Sequence, residues 1–248
     1  AQHGGTALLR IEDTDSTRVR PEHEASIYED LAWLGLSWPP PVLRQSDHFA
    51  DYRATLDRLA ALDLLYPCSS SRRDILGAGA KQGADGFVYP RTCAARSMDN
   101  ALPTDGIRLD LRKALARGSE HLSYQETGSG KIQQIAINPE LLLQEIGDPI
   151  LQRKETGDPA YHLACVHDDA RQKITHVVRG TDLQALTPLH VVIQQVLGFA
   201  TPIYHHHRLI LDQDGKRLAK IDESKALVKY RAEGLSPTDI EKIIGFAD

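Results

Sequence analysis

Cysteine is scarce: Cys68, Cys93 and Cys165 are the three in 248 residues. Small secreted scaffolds carry dense, usually even sets of cysteines, so a disulfide framework is excluded and reduced thiols are expected. No apolar run approaches the roughly 20 residues needed to span a bilayer, and the first residues match neither the charged nor the apolar part of a signal peptide. A cytoplasmic monomer with no membrane partner is the resulting expectation. Excess positive charge is also missing, with 29 Lys and Arg against 34 Asp and Glu and a net charge of −5. That excludes a uniformly basic nucleic-acid binder. A local cluster suffices for phosphate contacts, and Arg72, Arg73, Arg91, Arg96, Arg112, Lys113 and Arg117 are candidates for one. There is no internal repeat and no low-complexity tail.

The composition, 41% hydrophobic and 25% charged, suits one large domain with an insertion. Residues 6–11 form a short apolar run ending in charge, which predicts a buried parallel strand delivering Glu12, Asp13 and Asp15 to a crevice. Pro21 opens a helix with Ile27, Leu31 and Leu34 at helical spacing, ended by Gly35 and the prolines at 39–41. A second helix starts near Asp47, with Phe49, Tyr52, Leu56 and Leu59 as its inner stripe. From Cys68 the character changes: glycine-rich at 77–86, strand-like at 107–111, with a hairpin turn at 128–130. The β-branched run 174–178 returns to sheet. The following helix is capped by Thr187, opened by Pro188 and closed by Gly198. A strand at 208–211, a turn at Asp214-Gly215 and a helix opened by Ser236-Pro237 complete the chain.

Four segments carry chemistry: RIEDTD at 10–15, AYHLA at 160–164, VVRGTD at 177–182 and KRLAK at 216–220. Singly each is weak. In this order and spacing they resemble the class I glutamyl-tRNA synthetases over nearly the whole chain. Within that family the resemblance is strongest to the shortened bacterial branch that lacks an anticodon-binding domain and modifies tRNA(Asp). The resemblance implies an α/β fold, a class I aminoacyl-tRNA synthetase Rossmann-like parallel sheet with an inserted α+β subdomain. We expect the core at 1–67 and 159–212, the acceptor-binding-like insertion at 68–158, and a KMSKS-type loop with terminal helices at 213–248.

The implied activity is activation of L-glutamate with ATP and Mg²⁺, then transfer to the queuosine of tRNA(Asp). Glu12 would pair with the substrate's α-ammonium group. Arg179 suits the side-chain carboxylate, because a guanidinium fork matches a carboxylate and discriminates against a neutral amide. Tyr161 would donate its hydroxyl to the same substrate. Asp182 would either face the ATP ribose or cap the following loop. Lys220 matches the family's mobile catalytic lysine, and Arg217 keeps the loop cationic beside Ala219, which replaces a serine. Cys68, Tyr89 and Cys93 lie where many members bind zinc, but Ser70 stands in place of one thiolate, which predicts a weak or empty site. The histidines at 205–207 alternate in direction on a strand and do not converge on one ion.

The HIGH-type strand, loop and helix that cradle ATP in this family have no match ahead of Arg10, since His3-Gly4-Gly5 lacks both flanking elements. The chain is therefore expected to be truncated at its amino end. The alternatives are a glutamyl-tRNA synthetase cut at both ends, charging tRNA(Glu), and a non-catalytic glutamate- or tRNA-binding fragment.

Overall fold

Helix Thr187–Leu197 is apolar around most of its circumference, and Leu189, Val191, Val192, Ile193 and Leu197 are all buried. A helix of that kind has to be covered on all sides. Tyr52, Leu56 and Leu59 of helix Phe49–Ala61, and Leu163, Ala164 and Val166 of helix Tyr161–Arg171, join it in one core cluster. Pro188 sits in its first turn and Gly198 ends it at φ 70°, as the sequence predicts. Thr187 does not cap it. Leu186 holds the cap position, Thr187 is the first helical residue, and its hydroxyl is committed elsewhere.

The computed structural model describes residues 4–118, 122–128, 130–211 and 227–246. They fall into two units, one of residues 14–16 and 46–207, the other of 1–13, 17–45 and 208–248. No helix among the described residues is long and apolar enough to cross a membrane.

In the smaller unit, Arg10–Ile11 pairs in parallel with Leu43–Arg44. The strand is shorter than the apolar run suggested: residues 6–8 are exposed and Ile11 is buried. Its partner offers only two residues of ladder, and a strand extends no further than its hydrogen-bond partner. Helix Pro21–Trp33 opens on Pro21, with Glu22 and Glu24 in its first turn, where acidic groups suit the positive end of the helix dipole. Arg231 of helix Leu227–Ala232 bonds Asp30 at 3.0 Å. Helix Pro237–Ile243 starts at a capping box formed by Ser236 and Asp239.

The larger unit holds a four-stranded sheet in the order His176–Gly180, Ile203–His207, Ser123–Glu126, Gln133–Ala136. The first two pairings are parallel and the last is an antiparallel hairpin around Gly128. Three strands, Leu65–Cys68, Gly106–Leu109 and Ile150–Gln152, make a separate antiparallel sheet. The predicted strand at 107–111 thus stops early, because Asp110 accepts from the Lys113 amide and caps helix Leu111–Arg117.

The last strand of the parallel sheet is Ile203–His207, not residues 208–211. Tyr204 and His206 are buried while His207 is exposed, the alternation of a strand with one covered face. Imidazoles read as polar in a sequence, yet they pack inside when both ring nitrogens find partners.

Candidate functional site

The parallel register sets Arg179 beside His206. Arg179 Nε donates to His206 Nε2 at 3.2 Å, and its NH2 nitrogen donates to Thr187 Oγ1 at 2.7 Å. The NH1 nitrogen makes two longer contacts, 3.3 Å to His190 Nδ1 and 3.5 Å to the Tyr161 hydroxyl. The guanidinium lies over the Tyr204 ring at 5.2 Å, and that ring stacks parallel to His206. Arg179 and Tyr161, singled out in the sequence, are therefore brought together. His206, Thr187 and His190 are additions the sequence did not announce.

Behind His206 stands Glu126. Its Oε2 meets His206 Nδ1 at 2.5 Å, while its Oε1 accepts the backbone amides of Gly128 at 2.9 Å and His206 at 3.1 Å. Burial favours the protonated carboxyl, but these donors outweigh it and hold the Glu126 pKa below the ordinary value. Burial pushes the His206 pKa down, against the pull of Glu126, and Arg179 adds to the depression. His190 is lowered strongly, by burial first and by His162 and Arg179 after it.

His190 leads to a second carboxylate. Its Nε2 lies 3.0 Å from His162 Nδ1, and His162 Nε2 lies 2.9 Å from Asp85 Oδ2. His162 follows Tyr161 in its helix, and Asp85 is in the turn between Gln82–Gly83 and Gly86–Phe87.

Asp182 is exposed in the 3-10 turn Thr181–Leu186. Glu12 is exposed directly after its two-residue strand, in the smaller unit. Lys220 and Arg217, with the rest of KRLAK and the turn at Asp214-Gly215, lie outside the described residues. Among the candidate phosphate contacts, Arg91 is engaged by Asp110 and Asp148, Arg96 by Asp105, and Lys113 by Asp63. Arg73, Arg112 and Arg117 are exposed.

Cys68, Ser70, Tyr89 and Cys93 do come together. Ser70 Oγ lies 3.3 Å from the Tyr89 hydroxyl, 3.2 Å from Thr92 Oγ1 and 3.4 Å from Cys93 Sγ. Arg108 Nε donates to Cys68 Sγ at 3.3 Å, with its guanidinium 3.9 Å from the Tyr89 ring centre. Burial raises the Cys93 pKa, but hydrogen bonds from Ser70 and Tyr89 prevail and bring it to about 6. Tyr89 is pushed up to about 12 by burial and by its contacts with Cys68 and Cys93. This donor set, with two thiols, does not fit structural zinc, whose corners are filled mainly by thiolate and imidazole donors. A hydroxyl holds one corner, and a cation is aimed at the sulfur of another.

The sequence pattern of the catalytic domain of class I tRNA synthetases for E and Q matches residues 1–245. The chain belongs to this family. It is 47% identical to the glutamyl-Q tRNA(Asp) synthetase of Rhodobacter capsulatus over 98% of its length and 88% of that protein's. The enzyme of the same name from Neisseria meningitidis is 38% identical, over 94% of the chain and 75% of the relative. A glutamate–tRNA ligase of Prochlorococcus marinus is 34% identical, but the chain spans only 50% of it. The crystal structure of a glutamate tRNA ligase from Elizabethkingia meningosepticum, in complex with its amino acid, superimposes with a TM-score of 0.71. That match has 24% identity and covers 97% of this chain and 54% of the other. It shows the shared fold. Class I synthetases of this family use ATP and Mg²⁺.

Proposed function

We propose that the protein activates L-glutamate with MgATP and passes the glutamyl group to queuosine of tRNA(Asp), a reading supported by its similarity to the Rhodobacter and Neisseria proteins named glutamyl-Q tRNA(Asp) synthetase. The observation that carries the reading is the meeting of the Tyr161 hydroxyl with NH1 of the Arg179 guanidinium, whose NH2 and Nε are held by Thr187 and His206.

Two of the guanidinium nitrogens are tied down by the shorter bonds, so the fork is not free to clamp a carboxylate from any direction. NH1, with its long contacts, is the nitrogen an incoming carboxylate engages most easily, and the Tyr161 hydroxyl supplies a second donor beside it. Glutamine presents a neutral amide there and forgoes the ion pair with the half-buried cation, which disfavours it. In this reading Glu12 binds the α-ammonium group, Asp182 faces the ribose, and Arg217 and Lys220 act on the triphosphate. Residues 68–158 approach the tRNA, with Arg73, Arg112 and Arg117 available to its phosphates.

The test is glutamate-dependent exchange of pyrophosphate into ATP, followed by transfer of labelled glutamate to queuosine-bearing tRNA(Asp) and to tRNA(Glu). Exchange that is lost in Arg179→Ala, with label on tRNA(Asp) alone, supports the reading. Label on tRNA(Glu), or normal exchange in the variant, refutes it.

A further inference from the structure

Arg179 is linked to two carboxylates and touches neither. Each link runs through imidazole. On one side Arg179 Nε can only donate, so His206 Nε2 accepts at 3.2 Å, and the ring's proton sits on Nδ1 facing Glu126 Oε2 at 2.5 Å. On the other side Arg179 NH1 can only donate, so His190 Nδ1 accepts at 3.3 Å. The His190 proton is then on Nε2, given to His162 Nδ1 at 3.0 Å, and the His162 proton is on Nε2, given to Asp85 Oδ2 at 2.9 Å. These tautomers are assigned from the partners, and one consistent direction of donation runs from the cation outward along each arm. Thr187 closes the frame: its Oγ1 accepts from Arg179 NH2 at 2.7 Å and lies 3.2 Å from His206 Nε2.

Elementary electrostatics says what such a frame accomplishes. An aspartate or glutamate placed directly against Arg179 would orient it, but would also occupy its hydrogen bonds and cancel its charge. A substrate carboxylate would then have to compete with a resident one. An imidazole lone pair orients a guanidinium just as well and carries no charge. The carboxylates stay one or two rings away, where they fix the tautomers while leaving most of the positive potential at Arg179. A metal site uses the same device, in which outer carboxylates orient ligating histidines.

We propose that His206 with Glu126, and His190 with His162 and Asp85, are positioning residues that aim Arg179 through lone pairs, keeping its charge available for the side-chain carboxylate of glutamate. The proposal rests on the functional reading above, since it presumes that Arg179 meets that carboxylate.

The experiment measures the dissociation constant of L-glutamate for the full chain by titration calorimetry between pH 7.5 and 5, with glutamine as the control ligand. His206→Leu removes the acceptor and is expected to weaken glutamate binding by about 10-fold or more, the scale on which outer-shell partners act. His206→Gln retains a carbonyl acceptor and an amide donor and is expected to recover most of that loss. Asp85→Ala alters a side chain that is 39% exposed, so it leaves the fold intact, and it is expected to weaken glutamate several-fold.

The parent's affinity is expected to fall as the pH drops from 6.5 toward 5, because a proton on His206 turns an acceptor into a donor facing a guanidinium. The groups around His206 are Arg179 and Thr187, Glu126, and its strand neighbours Tyr204 and His205; those around His190 are His162, Arg179 and Tyr161. The substrate carboxyl, with a pKa near 4.3, stays ionised over most of this range. A flatter pH profile in His206→Gln supports the proposal.

Unchanged affinity in both His206→Leu and Asp85→Ala, beside loss of binding in Arg179→Ala, overturns the relay and leaves the functional reading standing. Unchanged affinity in Arg179→Ala, or no glutamate binding by the parent, overturns the reading and the relay together.

Discussion

Thr187 Oγ1 accepts a hydrogen bond from Arg179 NH2 at 2.7 Å, the shortest of the four contacts that hold this guanidinium. The hydroxyl is fully buried at the first residue of its helix. It serves the arginine and not the helix end, although a threonine before a proline is the usual sign of a cap.

Thr187→Val keeps the volume and removes the acceptor. We expect glutamate affinity to fall by roughly 10-fold, corresponding to about 1–3 kcal/mol for a buried donor left unmatched. The thermal midpoint should fall as well, because Arg179 NH2 loses its acceptor in the folded protein. Calorimetric titration with glutamate, together with a melting curve, checks both halves.

His167, His190 and His206 all have pKa values below the ordinary imidazole value, each with burial as the largest cause. The unfolded chain therefore binds more protons than the folded one once the pH drops below about 6.5, and stability falls as pH falls from there toward the depressed folded values. Glu126, whose pKa is lowered, contributes stability that survives to below about 4.5. Denaturant midpoints should thus decline from pH 7 to pH 5, before the carboxylates titrate. A flat midpoint across that window would contradict the buried, uncharged histidines.

Ser70→Cys restores a fourth sulfur or phenolate donor beside Cys68, Tyr89 and Cys93. Elemental analysis after purification with zinc is expected to find about one zinc per chain in the variant and far less in the parent. Stoichiometric zinc in the parent would show that a hydroxyl suffices at that corner.

Gly128 has no room for a side chain. A methyl there would stand 2.6 Å from the His206 carbonyl oxygen and 3.0 Å from Glu126 Oε1. Gly128→Ala is expected to destabilise by about 1–3 kcal/mol, the ordinary cost of overpacking against backbone, and to weaken glutamate binding through the displaced Glu126. Unfolding and titration on the same sample measure the two effects.

What the sequence revealed and what it hid divide along a physical line. Arg179 and Tyr161 stood in ordered motifs, and the helices starting at Pro21, near Asp47 and at Pro237 announced themselves through proline, apolar spacing and the Ser236 cap. His206, His190 and Glu126 were invisible because each is polar in composition and buried in fact, and only the partner across the sheet or the neighbouring helix makes that affordable. The period-two burial of Tyr204 and His206 was the available signal, and it lay just before the place where a strand was expected. The 6–11 run misled in the opposite sense: apolar residues without a ladder partner remain exposed.

Three adjacent histidines at 205–207 leave the alignment of their strand ambiguous to chemistry alone. Sliding the strand by one residue would present another imidazole to Arg179, and nothing about that ring would mark the mistake. The neighbours would mark it. Tyr204 meets Tyr124 edge-on at 5.5 Å and reaches Gln194 through its hydroxyl at 3.0 Å, and a slip would turn that ring to the opposite face. The carbonyl of His206 also fits only against the bare Cα of Gly128. A tyrosine and a glycine, neither of which touches Arg179 by hydrogen bond, thus proofread which of three identical side chains is the right one.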